Sequence, residues 1–209
     1  IAPAEDGMQS GSYLNPGGVF TSKVQKWGPF FSLAFRSSSC QHPLLASAIA
    51  RIAKESSTHE AFMAEKGAVQ QLLAMALSDS LIVVKQACSA LGSLASATPA
   101  VAQRLVDSEQ AMMGSLLKST QPAAQVSALR LVASLALTSA SISDALLTDA
   151  IYEDLLGRCD TSTEPPVQRY ALLALGNIAF HRKPRLRLQA DKRLVPILLK
   201  LSRGTVSYT

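Results

Sequence analysis

A fixed spacing runs through this chain and restricts it more than any other feature. Paired apolar residues follow a turn in "GPFFSLAF", "AVQQLLAMALS", "AMMGSLLKST", "AIYEDLLGRCD" and "RLVPILLKLS". The pairs are Phe30-Phe31, Leu72-Leu73, Leu116-Leu117, Leu155-Leu156 and Leu198-Leu199, in steps of 42, 44, 39 and 43 residues. A second series interleaves with the first: "LLASAIARIAKE", "VKQACSALGSLAS", "QVSALRLVASLAL" and "QRYALLALGNIAFH". Aligned on its last apolar residue, it places Ile52, Leu94, Leu135 and Ile178 at steps of 42, 41 and 43. Within each copy, apolar or small residues recur at i, i+3, i+4 and i+7, as Ala171, Ala174, Leu175 and Ile178 do in the last. That recurrence is one face of an α-helix. Two ladders with one period define repeating helical units, each burying its stripe against its neighbours.

The breakers agree with this reading. Pro43, Pro99, Pro122, Pro165-Pro166 and Pro184 fall between the helical stretches, where a helix's first turn tolerates proline. Thr58, Thr98, Ser141 and Thr163 stand nearby as expected caps. The segments "THEAFMAEKG", "TPAVAQRLVDS" and "SISDALLTDA" precede the leucine-pair helices and supply a third helix per unit. Residues 1–21 carry Gly, Pro and Ser without periodicity and read as a tail or linker. The solenoid is expected over 22–209, with units near 22–56, 57–97, 98–139, 140–182 and a partial 183–209. Both ends read as cut from something longer.

This three-helix unit resembles the armadillo repeat, with "EKGAVQQLLAMAL" as second helix and "VKQACSALGSLA" or "VQRYALLALGNIA" as third. Gly67 sits where such units turn sharply between first and second helices. The other copies have Gln110, Asp149 and Lys192 nearby instead. The resemblance implies an all-α, right-handed armadillo-type solenoid of roughly four to five three-helix repeats, incomplete at both ends. It also implies a protein-binding surface along the third helices.

Importin-α-type members of that family carry Trp and, four residues on, Asn on successive third helices. Here the Trp positions hold Ser47, Ser89, Arg130 and Leu173, and the Asn positions hold Arg51, Ser93, Ser134 and Asn177. Only Asn177 matches, so an import receptor is not expected. Lys85 and Arg169 lie one turn earlier, and with Arg51 and Arg130 they form a broken basic stripe. The candidate partner-binding residues are therefore Lys85, Ser89, Arg130, Ser134, Arg169, Leu173 and Asn177. The expected partners are other proteins with acidic helices or tails; the alternative is that these are ordinary solvated charges. Asn177 has two readings of its own, a partner's backbone or a neighbouring turn.

Composition excludes other classes. The 209 residues are 48% hydrophobic and 17% charged, too apolar for a disordered chain, and the scarcity of aromatics at 5% suits Ala- and Leu-rich helices. No apolar run reaches 18 residues, so no membrane span and no membrane partner are expected. Cys40, Cys88 and Cys159 are too scattered for a metal site or disulfide framework, and read as reduced thiols in a cytoplasmic setting. No G-x-G-x-x-G, P-loop, G-x-S-x-G or H-E-x-x-H pattern occurs, so no catalytic residue, cofactor or metal is expected. Asp144, Asp149, Glu153, Asp154 and Asp160, with Glu109 one repeat earlier, read as solvated faces or charges at helix N-termini. Much of the net charge of +5 lies in "HRKPRLRLQADKR", His181–Arg193, on a turn and first helix. Without interleaved aromatics it is not expected to be a nucleic-acid site, although attraction to a phosphate backbone stays open.

One short stretch, "ALGNIAFH" (Ala174–His181), is similar to armadillo repeats in the C-terminal half of Fused-type serine/threonine kinases. No kinase motif accompanies it. The resemblance implies a regulatory scaffold half and an association with microtubules and the ciliary axoneme. The expectation is thus a non-catalytic scaffold in a larger, cytoskeletal or ciliary assembly, with kinase repeats or a basic nucleic-acid-binding solenoid as alternatives.

Overall fold

The computed structural model describes residues 27–36, 42–107 and 110–205. The expected tail at 1–21, Cys40 and Glu109 lie outside the described residues, as do the side chains of Trp27, Phe31, Gln110 and Asp149. Thirteen helices and no strand are found among the described residues. They are α1 Trp27–Arg36, α2 Pro43–Ile52, α3 Ser56–Ala64, α4 Ala68–Ala76, α5 Leu81–Ala97, α6 Pro99–Asp107 and α7 Gln110–Leu117. Then follow α8 Pro122–Ala136, α9 Ala140–Leu146, α10 Asp149–Thr161, α11 Pro165–Ile178, α12 Arg182–Ala190 and α13 Leu194–Thr205.

The helices form an α-solenoid of three-helix units: α3–α4–α5, α6–α7–α8 and α9–α10–α11. The pair α1–α2 precedes them and α12–α13 follows. Third helices stack as α2, α5, α8 and α11, second helices as α1, α4, α7, α10 and α13, and first helices as α6, α9 and α12. One continuous core runs along the stack, from Ala34 and Phe35 to Leu188.

Local chemistry sets the boundaries. Pro43, Pro99, Pro122 and Pro165 each open a helix, where a missing N–H costs nothing. Gly67, with φ 85°, alone among the described residues is left-handed, and it turns the chain from α3 into α4. Between α9 and α10, Leu147 and Thr148 make that turn with negative φ, so glycine is not needed there. The caps differ from expectation. The Ser139 hydroxyl, not Ser141, accepts the Ile142 N–H to cap α9. Thr58 lies inside α3, buried, and its hydroxyl donates to the carbonyls of Ile52 and Glu55, tying α2 to α3.

The leucine-pair ladder shows what the third helix does. Leu72-Leu73, Leu116-Leu117 and Leu155-Leu156 are buried under α5, α8 and α11. Leu198 and Leu199 occupy the same position on α13, which no third helix covers among the described residues, and they are 43% and 51% exposed. Removing a fully buried leucine side chain costs about 2–5 kcal/mol, whereas truncating an exposed one costs under about 1 kcal/mol. Leu155→Ala is therefore expected to lower the urea midpoint strongly and Leu198→Ala hardly at all, although the two share a ladder position.

Candidate functional site

The polar and charged positions of α5 and α8, two of the third helices, converge on one groove. It lies between α5 and α8, reaches the start of α11 and holds about 840 Å³. Lys85, Ser89 and Ser93 line it from α5, and Val126, Arg130 and Ser134 from α8. These side chains share a line because residues four apart stand above one another on a helix. Small residues keep the space open: Gly92 and Ser96 complete the α5 wall, with Ser127 opposite. Glu164 and Pro166 close the end nearest α11.

Three hydroxyls in the groove donate to carbonyls of their own helix. Ser96 donates to the Gly92 carbonyl at 2.8 Å, Ser127 to Ala123 at 2.9 Å and Ser134 to Arg130 at 3.0 Å. Each oxygen keeps acceptor capacity, so these positions suit a ligand that donates. Cys88 also lines the groove, but burial pushes its thiol up to about 12, and burial of Cys159 raises it to about 11. Neither is a nucleophile near neutral pH.

The seven residues expected from sequence separate into two groups. Lys85, Ser89, Arg130 and Ser134 line the groove together, while Arg169, Leu173 and Asn177 stand on α11 outside it. The Arg130 guanidinium lies 5.8 Å from the centre of the Tyr170 ring, so α11 orients it by a cation–π contact. Arg169 and Leu173 are exposed. Asn177 donates its amide to the Ala133 carbonyl at 2.9 Å. That carbonyl is released because α8 ends in a tighter turn, where the Leu137 N–H bonds Ser134 instead. Of the two readings of Asn177, the neighbouring turn is the one made. Tyr170 and Glu164 were not singled out from sequence, and Cys88 was read only as a reduced thiol. Tyr170 could have been, since it stands one repeat after Ser127, beside the arginine ladder.

Several charges elsewhere are paired, and these pairs join successive units. Asp144 accepts from Lys183 and from Arg187 at 3.1 Å; Arg193 bridges Glu153 and Asp191, each at 2.7 Å; Lys200 meets Asp160 at 2.7 Å. Tyr152 donates its hydroxyl to Asp191 at 2.9 Å. Of the acidic residues expected as solvated faces, Asp144, Glu153 and Asp160 thus hold one unit to the next, while Asp154 forms no ion pair among the described residues. Hydrogen bonds from Lys183, and from Arg187, hold the Asp144 carboxyl below the usual range, and those from Arg193 do the same for Glu153 and Asp191. By contrast, α2, α5, α8 and α11 contain no Asp or Glu at all, and their cations Arg51, Lys85, Arg130 and Arg169 form no ion pair among the described residues. Among those residues, no group of three His, Cys, Asp or Glu could hold a metal, and no single helix is long and apolar enough to cross a membrane.

A stack of three-helix units with a lined groove defines a helical-repeat protein, and the comparisons agree on that architecture. Two engineered proteins of known structure resemble it with TM-scores of 0.64 and 0.65, at 28% and 22% identity. Each comparison covers 83% of this chain, with 68% and 70% of the engineered chains. A third engineered protein, 28% identical, gives a TM-score of 0.64 over 81% of this chain and 40% of its own. No family model matches. A curated relative, Phospholipase A I of Arabidopsis thaliana, is 37% identical over 182 residues. The match takes in 87% of this chain and 14% of that protein, so the chain spans about a seventh of the relative's length. None of these relatives is named for a kinase, the cytoskeleton or a cilium.

Two measurements probe this geometry. Asn177→Ala strands the Ala133 carbonyl, and equilibrium unfolding is expected to show a loss of about 1–3 kcal/mol. The depressed carboxylates give stability that is full above their unfolded pKa, about pH 4, and that falls as pH drops through their lowered folded values. Urea midpoints followed from pH 7 to 3 are expected to fall below about pH 4, and Asp191→Asn to flatten that fall.

Proposed function

We propose that this chain is a non-catalytic, armadillo-type repeat segment of a longer phospholipase-A-type protein, and that it binds acidic segments of other proteins along its third helices. The distribution of charge carries this reading. Lys183, Arg187, Arg193 and Lys200, on or beside first and second helices, have acidic partners one unit away, while the third-helix cations have none. A row of unpaired cations beside a groove favours an acidic occupant and speeds its encounter. The relative supports the first half of the reading: the resemblance extends along most of this chain but a small part of a protein named as an enzyme. The chemistry of such a protein would then reside in residues other than these. The kinase-repeat alternative rests on Ala174–His181 alone, and Asn177 in that stretch already has a structural task.

The test uses fluorescent peptides with Glu and Asp at scanned positions, and Lys-containing counterparts as controls, titrated with the chain and followed by anisotropy. Acidic peptides are expected to bind. An Arg130→Glu, Arg169→Glu double variant is expected to weaken them about tenfold or more. Equal affinity for acidic and basic peptides, or an unchanged double variant, would sink the proposal.

A further inference from the structure

The groove between α5 and α8 lies inside the stack, since α5 also packs on α2 and α8 on α11. Its centre is a group of hydrogen-bond donors. Ser89 and Arg130 hold the same place in successive units, 41 residues apart, so they stand opposite each other on the two walls. Lys85 and Ser93 lie one turn to either side of Ser89. Ser96, Ser127 and Ser134 spend their protons on their own helices, but Ser89 and Ser93 form no hydrogen bond through their hydroxyls among the described residues. Nor do the side chains of Lys85 and Arg130, which also form no ion pair there. The Tyr170 ring, 5.8 Å from the Arg130 guanidinium, holds that group but offers its N–H groups no carboxylate. Glu164, the only carboxylate lining the groove among the described residues, pairs with neither cation.

We propose that Lys85, Ser89, Ser93 and Arg130 bind a phosphorylated serine or threonine in an acidic segment of a partner protein, an inference that rests on the third-helix reading and narrows it. A carboxylate carries one charge and aims both oxygens away from its chain in one plane, so the fork of Arg130 alone engages it. A phosphomonoester carries between about 1.5 and 2 charges near pH 7, and its three free oxygens diverge. It can take the Arg130 fork on one wall and still offer an oxygen to Ser89, Ser93 or Lys85 on the other. Neighbouring helix axes lie about 8–10 Å apart, so a group held between the walls is within reach of both. The Ser96 and Ser134 hydroxyls, at the next turn of each wall, keep acceptor lone pairs for N–H groups of the segment that carries the phosphate. A free phosphate or a lipid headgroup would use the same donors and leave those acceptors unused.

Fluorescent peptides with Glu and Asp at scanned positions, each made with serine, glutamate or phosphoserine at its centre, test it by anisotropy. Phosphoserine peptides are expected to bind about tenfold or more tighter than their glutamate counterparts, because a hydrogen bond to a charged group is worth about that factor. Ser89→Ala with Ser93→Ala, which keeps every charge, is expected to remove most of that advantage and to leave the glutamate peptides within about twofold. Both serines are half-buried and alanine is a strong helix former, so the variant is expected to keep its fold, which circular dichroism checks. Equal affinity for phosphoserine and glutamate peptides overturns this inference and leaves the acidic-segment reading standing, whereas no binding by any acidic peptide removes both. An advantage that survives the double alanine variant also overturns it. Free phosphoserine, or vesicles containing phosphatidic acid, that displace the phosphopeptide at equal phosphate concentration overturn the protein partner in favour of phosphate alone.

Discussion

The last carbonyls of a helix have no partner in their own turns, and in this chain the following unit supplies them one. Arg158 on α10 donates to the Leu117 carbonyl at the end of α7, and Asn177 on α11 to Ala133 near the end of α8. Arg187 on α12 donates to Leu147 at the end of α9, and Lys200 on α13 to Asp160 at the end of α10. The separations are 41, 44, 40 and 40 residues, the repeat period itself. Three of the four donors are cations, which also favour the negative end of the helix dipole. A unit is therefore finished by its successor, in hydrogen bonds as well as in apolar burial. All three ladders are pinned this way, so a change of register in one helix would misplace donors along the stack.

The same requirement sorts the charges. A cation that must reach a carbonyl or carboxylate of the preceding unit stands on a first or second helix, as Arg158, Arg187 and Lys200 do, or in the turn between them, as Arg193 does. The third helices pack on each other through alanine, leucine and valine, and need no charge to do so. Arg51, Lys85, Arg130 and Arg169 on them are thus free of the stacking task. Arg130 is the intermediate case, because Tyr170 of the next unit orients its guanidinium without neutralising it.

The stack itself was legible in the sequence because apolar periodicity is imposed by packing, and packing is the same in every unit. Leu155-Leu156 and Leu116-Leu117 mark equivalent sites, and proline at 43, 99, 122 and 165 marks helix starts. What depends on the last turn of a helix was less legible. The bond from Asn177 to Ala133 exists only because α8 tightens at Leu137, and nothing in the spacing announces it. The role of Ser139 rather than Ser141 turns on two residues of boundary. The ion pairs did leave a signal. Asp144 with Arg187, Glu153 with Arg193 and Asp160 with Lys200 are opposite charges 43, 40 and 40 residues apart. Searching opposite charges at the period of the apolar ladder would have joined the two clusters that composition alone kept separate.

A solenoid makes this separation of tasks possible because each unit touches only its neighbours. Surface residues can then change without disturbing distant packing. Lys85, Ser89 and Arg169 form no ion pair among the described residues and stand outside the stacking bonds, so their chemistry is available to a partner. Asn177 is not available in the same way, since its amide already completes α8. A residue type that serves a ligand in one helical-repeat protein can serve the scaffold in another, and the distinction rests on whether the preceding helix leaves a carbonyl open.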